Sequence, residues 1–397
     1  MIRILLATLV FCGLSSGPLF AQELSRNTAE RVQRVFQLQQ DGELAKAISQ
    51  LEQLKPSAKY DQAYIARMLG IYYWQDEQVA LSKAKLAEAV NLQAFPPQQA
   101  WETRNMLAEI LLSEQQIDEA LSHFEILLTQ AQQPELELNI SPSQALSLRA
   151  NLAYANYQQQ NWQVVLDHLA ALEQLQVLDK NNLSMRFIAQ VQLKQLKAAI
   201  ITNQALLVLE PETLRWWQQL SALYSQTQQH QKALATLVSA ERSGLALGES
   251  LLRHKAQLYA YLRVPEKAAL SYAQLADADS DAALLLRQAQ LWQQAREWQK
   301  SAKYWQLLAE HNPEYNLQYA QVLLLSNQYT QAIEALKLAD PQEQQAKSQL
   351  LLAEIYLETK DYSQAYAAAQ RAHNLEQSSQ SERWLNYLEA LVADTKA

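Results

Sequence analysis

The feature that most constrains this chain is a pair of positions, twelve residues apart, that recurs ten times along the sequence and carries Gly, Ala or Ser at eight of the ten first positions and at nine of the ten second positions. Two antiparallel helices approach closely only where both carry small side chains, so each pair predicts one helix–turn–helix unit. The first members of the pairs are Val35, Gly70, Ala108, Ala153, Phe187, Ser221, Ala256, Ala289, Ala320 and Ala353. The second members are Ala47, Ser82, Ala120, Val165, Ala199, Ala233, Ala268, Ser301, Ala332 and Ala365.

The spacing between successive pairs supports a repeat array. The intervals are 35, 38, 45, 34, 34, 35, 33, 31 and 33 residues, and six of the nine lie within one residue of 34. A unit of two short helices is not stable by itself, so such units stack and share a core. A period near 34 therefore predicts a stacked array of helix pairs.

The residues around the small positions carry a family resemblance. The clearest segments read Trp217-x2-Leu220-Ser221-x2-Tyr224 followed by Ala233-x3-Leu237, Leu69-Gly70-x2-Tyr73, and Leu352-Ala353-x2-Tyr356. These resemble the tetratricopeptide repeat (TPR) family over residues 28–378. The resemblance implies an all-α, TPR-type helix-turn-helix solenoid, a right-handed superhelix of about ten repeats with a C-terminal capping helix.

The same register divides the chain into segments. We expect a signal peptide at 1–21, units 1–3 at 22–131, a loop or joint at 132–145, units 4–10 at 146–378, and a capping helix and tail at 379–397. The joint contains Pro134 and Pro142 and accounts for the longest interval between pairs. The fifth unit matches least well, because Phe187 stands where a small residue is expected.

The N-terminus has the organisation of a secretory signal. Arg3 is followed by an apolar stretch, residues 4–14, and by a region of small residues that ends at Ala21, after which cleavage is expected. Eleven apolar residues are too few to span a bilayer, which needs about twenty. The sequence therefore predicts a periplasmic protein with no membrane span in its mature form. Cys12, the only cysteine, would leave with the signal.

Composition narrows the functional classes. The net charge of −8 and the absence of a basic stripe argue against nucleic acid as a partner. With six glycines in the chain, few residues are expected at positive φ, which argues against a sheet-rich enzyme. Phosphate-binding glycine motifs are absent from the sequence. We therefore expect no enzymatic activity and no cofactor.

Three groups of side chains match known reactive or metal-binding motifs only in part. His123 and His168 recur at equivalent positions, but neighbouring units lie about 10 Å apart, too far for a shared metal. The acidic series beginning at Asp277 lacks the glycine and the glutamate of a calcium loop, so helix capping is the better interpretation. Ser82 and Lys85 match a nucleophile motif in spacing alone, and Ser82 holds a packing position. No metal site is predicted.

The TPR resemblance implies that the first helices line a concave face that binds partner peptides. The corresponding positions are Tyr64, Arg67, Trp74, Asn105, Glu109, Asn151, Tyr154, Tyr157, Arg253, Gln257 and Arg287. The first eight combine aromatic, Arg and Asn side chains, a composition enriched at binding hot spots. Alternatively, Tyr154 and Tyr157 only pack against the neighbouring helix. The Lys/Asn set with which some relatives hold a C-terminal carboxylate is absent.

A narrower resemblance concerns the cellular role. The signal, the segment Asp41-Gly42-Glu43-Leu44-Ala45-Lys46-Ala47-Ile48 and the segment 59–70 resemble the periplasmic TPR proteins of TonB–ExbB–ExbD systems in marine gammaproteobacteria. This resemblance implies an accessory of TonB-dependent uptake of iron complexes, with TonB, ExbB or ExbD as partners. The alternatives are a scaffold in envelope or cytochrome assembly and, more remotely, a ligand-binding or catalytic module. Self-association is also compatible with such repeats.

Overall fold

The computed structural model describes residues 24–339 and 345–394, so the expected signal peptide lies outside the described residues. Within this part, every regular element is helical: 21 α-helices and two short 3-10 helices. Contacts divide the chain into two units, of which unit 1 ends at Leu209 and unit 2 begins at Glu210. The ten predicted small-residue pairs fall in ten successive helix pairs, which confirms the all-α repeat fold.

Each repeat consists of a first and a second helix. In unit 1, repeats 1 to 5 are α1 (Arg26–Gln40) with α2 (Leu44–Glu52), α3 (Lys59–Gln75) with α4 (Val79–Asn91), α5 (Pro97–Ser113) with α6 (Ile117–Ala131), α7 (Pro142–Gln158) with α8 (Trp162–Glu173), and α9 (Lys180–Gln192) with α10 (Leu196–Leu209). In unit 2, repeats 6 to 10 are α11 (Leu214–Gln226) with α12 (His230–Arg242), α13 (Glu249–Tyr261) with α14 (Pro265–Tyr272), α15 (Ala282–Gln294) with α16 (Trp298–His311), α17 (Asn316–Leu325) with α18 (Tyr329–Leu338), and α19 (Gln345–Glu358) with α20 (Tyr362–Leu375). The last helix, α21 (Ser379–Asp394), packs on α20 as the expected capping helix.

The small positions lie where the two helices of each repeat meet. All twenty residues at these positions are buried. Three of them are serines, and each donates a hydrogen bond to the carbonyl of its partner position: Ser82 Oγ to Gly70 at 2.6 Å, Ser221 Oγ to Ala233 at 3.0 Å, and Ser301 Oγ to Ala289 at 2.8 Å. A buried hydroxyl is tolerated at this close contact because its hydrogen-bond donor has an acceptor there.

The turn inside each repeat has one geometry throughout. The seventh residue after each first-helix small position has positive φ, and the next backbone N–H donates to the carbonyl five residues before it, as in a Schellman motif. Only repeat 1 uses glycine here, Gly42. The other nine use Glu77, Gln115, Gln160, Lys194, Gln228, Arg263, Arg296, Asn327 and Lys360. The expectation of few positive-φ residues was therefore wrong, because hydrogen bonds offset a strain of about 1 kcal/mol at each turn.

The segment between repeats 3 and 4 is an irregular loop that contains one short 3-10 turn. Residues Pro134–Leu136 make a 3-10 turn, and α7 begins at Pro142. Ser141 and Gln144 form a reciprocal capping box at the start of α7. The loop therefore ends at a capped helix, α7.

Repeat 5 reverses the size pattern of the other repeats. In repeat 2, a Cβ built on Gly70 would lie 2.6 Å from Cγ of Leu86, so the residue four positions after the second small residue packs on the first. In repeat 5, the equivalent residues are Phe187 and Asn203. The large side chain thus comes from the first helix and the smaller one from the second. Asn203 is fully buried, and neither its amide N nor its amide O has a hydrogen-bond partner.

Ion pairs join successive repeats at two equivalent places. Arg186 on α9 meets Glu173 on α8, and Lys255 on α13 meets Glu241 on α12 at 2.9 Å. In both cases the cation directly precedes the first-helix small position. The Lys255 side chain is only 4% exposed, whereas Glu241 is 43% exposed. The Lys255 ammonium therefore depends on Glu241 for compensation of its charge.

We expect Glu241→Ala to lower the free energy of unfolding by about 1–3 kcal/mol, because it leaves a buried ammonium without its carboxylate. Urea unfolding followed by circular dichroism measures this difference. Glu30→Ala is the matched control, since the Arg26–Glu30 pair is 95% and 59% exposed and should contribute less than about 0.5 kcal/mol. Equal shifts for the two variants would show that Lys255 does not need its partner.

Candidate functional site: the first-helix face of unit 1

The first helices of unit 1 form a continuous surface. Successive first helices contact each other directly, α5 with α7 and α7 with α9. Four positions on each helix, six and three residues before the small position and one and four residues after it, lie on one side at helical spacing. We call the surface on α3, α5 and α7 the first-helix face; it comprises Tyr64, Arg67, Ile71, Trp74, Glu102, Asn105, Glu109, Tyr154 and Tyr157, all half-buried.

An ion pair lies near the beginning of this face. The Arg67 guanidinium on α3 donates through Nη2 to Glu102 Oε2 on α5 at 3.0 Å. The two side chains are 17% and 26% exposed, and Gln98 donates to the other carboxylate oxygen at 2.9 Å. The positive charge of Arg67, which the sequence suggested for partner binding, is therefore already compensated by a neighbouring repeat.

Glu109 stands at the middle of the face without a cation. Its Oε1 accepts a hydrogen bond from Asn105 Nδ2 at 3.0 Å, one turn earlier on α5. Burial raises the pKa of the Glu109 carboxyl, and the Asn105 hydrogen bond opposes this shift. Among the described residues, no ion pair includes Glu109.

A small aromatic cluster lies at the start of α3, and one of its members, Tyr64, is near Arg67. The rings of Tyr60 and Tyr64 lie 6.4 Å apart, and Phe95 approaches Tyr60 edge-on at 6.0 Å. Burial raises the pKa of Tyr64, although the nearby Arg67 opposes it, and raises that of Tyr72 to about 12. The Tyr72 hydroxyl is buried without a hydrogen-bond partner. Tyr72 therefore belongs to the core beneath the face, whereas Tyr64 remains partly exposed.

The remaining predicted residues of unit 1 differ in how far their side chains are used for packing within the repeats. Trp74 and Tyr154 pack partly against the core of repeats 2 to 4, and Gln158 donates to the Tyr154 hydroxyl at 2.7 Å. Tyr157 contacts Trp162 edge-on at 5.6 Å, so part of its ring serves packing within repeat 4. Asn151 is only 8% exposed and lies inside the repeat rather than on the face.

The other predicted residues belong to unit 2. Arg253 and Gln257 lie on α13, where Arg253 is half-buried and Gln257 exposed, and Arg287 is exposed on α15. They form no ion pair among the described residues. One turn after Gln257 on α13, Tyr261 is exposed, and its ring lies 4.3 Å from that of His230.

The sequence did not single out Glu102. It occupies in repeat 3 the position that Tyr64 holds in repeat 2, six residues before the small residue. This equivalence does not by itself give the contact with Arg67, which depends on how repeats 2 and 3 stack.

The histidines and the acidic loop residues make contacts that explain them structurally. Nη1 of Arg104 lies 3.3 Å from Nδ1 of His123, and Arg149 makes the same contact with His168. Burial, with help from these arginines, lowers the pKa of both histidines. Asp281 caps α15, confirming the capping interpretation. Within residues 24–339 and 345–394, no cluster of three potential metal ligands occurs. In the same residues, each helix is too short or too polar to cross a bilayer.

Comparisons with known proteins add similarity in fold alone. No family model and no curated protein matches the chain. A TPR protein from Parabacteroides merdae is 14% identical, covering 62% of this chain and 99% of that one with a TM-score of 0.33. The C-terminal part of a TPR protein from Cytophaga hutchinsonii is 14% identical, covering 71% and 99% with a TM-score of 0.36. A MamA structure is 17% identical, covering 45% and 95% with a TM-score of 0.35.

The fold class rests on the helix pairs themselves. Within the residues that the structure describes, each of the two units is an all-α array of five helix–turn–helix repeats, and the last helix, α21, packs on the final repeat.

Glu109 should make stability depend on pH. Its pKa is higher in the folded state than the ordinary value, so the folded state holds the proton more tightly than the unfolded state. Stability should therefore fall as pH rises from the ordinary glutamate pKa, about 4.3, through the raised folded value. Glu109→Gln should melt at a higher temperature than the parent at neutral pH, and the difference should vanish in acid. A difference that is constant between pH 3.5 and 8 would contradict this.

Proposed function

We propose that this chain is a protein-binding scaffold that holds a partner segment along the first-helix face of unit 1. The observation that carries the proposal is the row of half-exposed side chains on three successive first helices, with Trp74, Glu109 and Tyr154 at its centre. Aromatic and charged side chains held by a rigid framework are typical of binding hot spots. No catalytic role is proposed for any of these residues.

Replacing Trp74 and Tyr154 together by alanine tests the binding face. We expect partner binding to weaken by at least about 2 kcal/mol, since truncating a hot-spot aromatic typically costs that much. The matched control is Ile126→Ala with Val164→Ala, two exposed apolar residues on the second helices α6 and α8. A photo-crosslinker at position 154 in growing cells identifies the partner whose affinity is then measured. If both double variants bind equally well, the face is not the binding surface.

We further propose that the chain is exported to the periplasm and serves TonB-dependent uptake of iron complexes. Arg3, the apolar stretch 4–14 and the small residues up to Ala21 support export. The resemblance of the first two units to TonB-associated TPR proteins supports the pathway. The captured partner would then be TonB, ExbB or ExbD.

Two measurements test this role. N-terminal sequencing of the protein from the periplasmic fraction should begin at Gln22, and an unprocessed cytoplasmic chain would overturn the export. Deletion of the gene should slow growth on iron complexes that need an outer-membrane receptor and spare growth on iron that bypasses it. An unchanged growth profile would overturn the TonB role and leave a periplasmic scaffold, for example in envelope or cytochrome assembly.

A further inference from the structure

The charges on the first-helix face do not balance. Arg67 is paired with Glu102 at 3.0 Å, so this pair presents little net charge to a ligand. Glu109 receives only an amide N–H from Asn105. A carboxylate offers about four acceptor positions, so most of the hydrogen-bonding capacity of Glu109 is left for a ligand.

At the position of Glu109, the two adjacent repeats carry an apolar and an aromatic side chain. Ile71, Glu109 and Tyr154 each follow directly after the small residue of their repeats. Three residues further along their helices lie Trp74, Leu112 and Tyr157, of which Leu112 is buried. A carboxylate between apolar surfaces interacts more strongly with a cation than one in open water. Aromatic faces add further attraction for a cation.

An ionised carboxylate at position 109 lowers the stability of the fold. Burial raises the pKa of Glu109, so its ionised form is less stable here than in water. A glutamine would accept the same Asn105 hydrogen bond without that cost. This arrangement is expected where an ionised group is needed for a ligand.

Building on the proposed function, we propose that the partner segment presents a lysine or arginine side chain to Glu109, with an apolar side chain on either side, toward Ile71 and toward Tyr154. Lysine and arginine have only donors, and arginine can engage both carboxylate oxygens. The net charge of −8 on the chain favours the approach of a basic partner.

The distance between successive first helices determines how far apart the contacting side chains of the peptide must be. Packed helices lie about 8–10 Å apart, so consecutive rows of the face are separated by about that distance. Three residues of polyproline II rise about 9.3 Å and return to the same side of the peptide. The segment would therefore read apolar-x-x-Lys/Arg-x-x-apolar when extended. In an α-helical segment the same rows would be reached every seven residues, about 10.5 Å.

Synthetic fluorescent peptides of both spacings, with Lys, Arg, norleucine, Gln or Glu at the central position, test the proposal against the mature full-length chain. We expect the basic peptides to bind at least tenfold more tightly than the norleucine peptides in fluorescence polarisation. Glu109→Gln should abolish this preference without weakening the norleucine peptides. The matched control, Glu125→Gln on the exposed side of α6, should keep the preference.

The outcomes separate the two proposals. If Trp74→Ala with Tyr154→Ala weakens every peptide but the basic residue gives no advantage, the face binds peptides and only the basic specificity is overturned. If the basic preference persists in Glu109→Gln, the cation is bound elsewhere and the inference is likewise overturned. If the parent chain binds none of the peptides at 100 µM, as an order-of-magnitude limit for a short segment, or if binding ignores the aromatic double variant, the proposed face itself is overturned.

Discussion

Gly70→Leu should destabilise unit 1 by about 3 kcal/mol or more, because the first small position of repeat 2 has no room for a side chain. A Cβ at this position would lie 2.6 Å from Cγ and 2.9 Å from Cδ2 of Leu86, and 3.3 Å from its backbone N. Leu86 is itself only 1% exposed, so its side chain has no free space to enter. The helices α3 and α4 would therefore have to separate, which also weakens the hydrogen bond from Ser82 to the Gly70 carbonyl.

Gly248 supplies the control, since a Cβ there would meet nothing within 4 Å. Thermal unfolding of Gly70→Leu and Gly248→Leu should thus differ by several degrees or more. Ala233→Phe should behave like Gly70→Leu, because Ala233 is fully buried at the second small position of repeat 6. Similar melting temperatures for Gly70→Leu and Gly248→Leu would mean that the helix pair is not closed by these positions.

The small-residue pairs were sufficient to predict the fold because their constraint is local. Both members lie within one repeat, twelve residues apart, and the steric rule that joins them needs no knowledge of distant residues. The same pairs fixed the register of all ten repeats, from Val35 to Ala365. The capping helix α21 followed from its apolar stripe, with Leu388 fully buried in the structure.

The turns were not predictable from the glycine content. A positive φ without glycine is strained, and the sequence offers few glycines, so ordinary propensity argues against such turns. The Schellman hydrogen bonds, for example from Gln116 N to the Leu111 carbonyl at 2.9 Å, outweigh this strain at Gln115. A helix-pair array makes the same turn so often that position, rather than residue type, decides the conformation.

The sequence indicated which helices carry the candidate site, but it did not indicate the ion pair between Arg67 and Glu102. The family resemblance assigned Trp74, Glu109 and Tyr154 to the first helices, and in the structure they are half-buried on α3, α5 and α7. The contact between Arg67 and Glu102 joins two repeats, so it depends on how the repeats stack rather than on any local pattern. That contact changes the charge of the face from one with an available arginine to one with an available glutamate.

In repeat 5 the first helix contributes the large side chain, Phe187, and the second helix contributes the smaller one, Asn203. Substitutions at these two positions should therefore have large effects on stability. At the position of Asn203, the other repeats carry Leu51, Leu86, Phe124, Leu169, Leu237, Tyr272, Trp305, Leu336 and Ala369, all buried. Phe187→Ala should lower the free energy of unfolding by about 3–5 kcal/mol, since removing a buried ring leaves a cavity. Asn203→Leu keeps the number of heavy atoms and removes two buried polar atoms without partners. It should raise the free energy of unfolding by about 1–2 kcal/mol.

The double variant Phe187→Ala with Asn203→Leu recreates the size pattern of the other repeats. It tests whether the side chains at the two positions fill one shared space. If they do, leucine enters part of the space left by the ring, and the double variant should be more stable than the sum of the single changes by at least about 1 kcal/mol. Urea unfolding of the four proteins in this cycle measures the coupling. Leu169→Asn, the converse change in repeat 4, should destabilise strongly because it places an amide where no ring compensates. Additive effects at positions 187 and 203 would show that the two side chains do not share one space, and the poor match of repeat 5 would then need another cause.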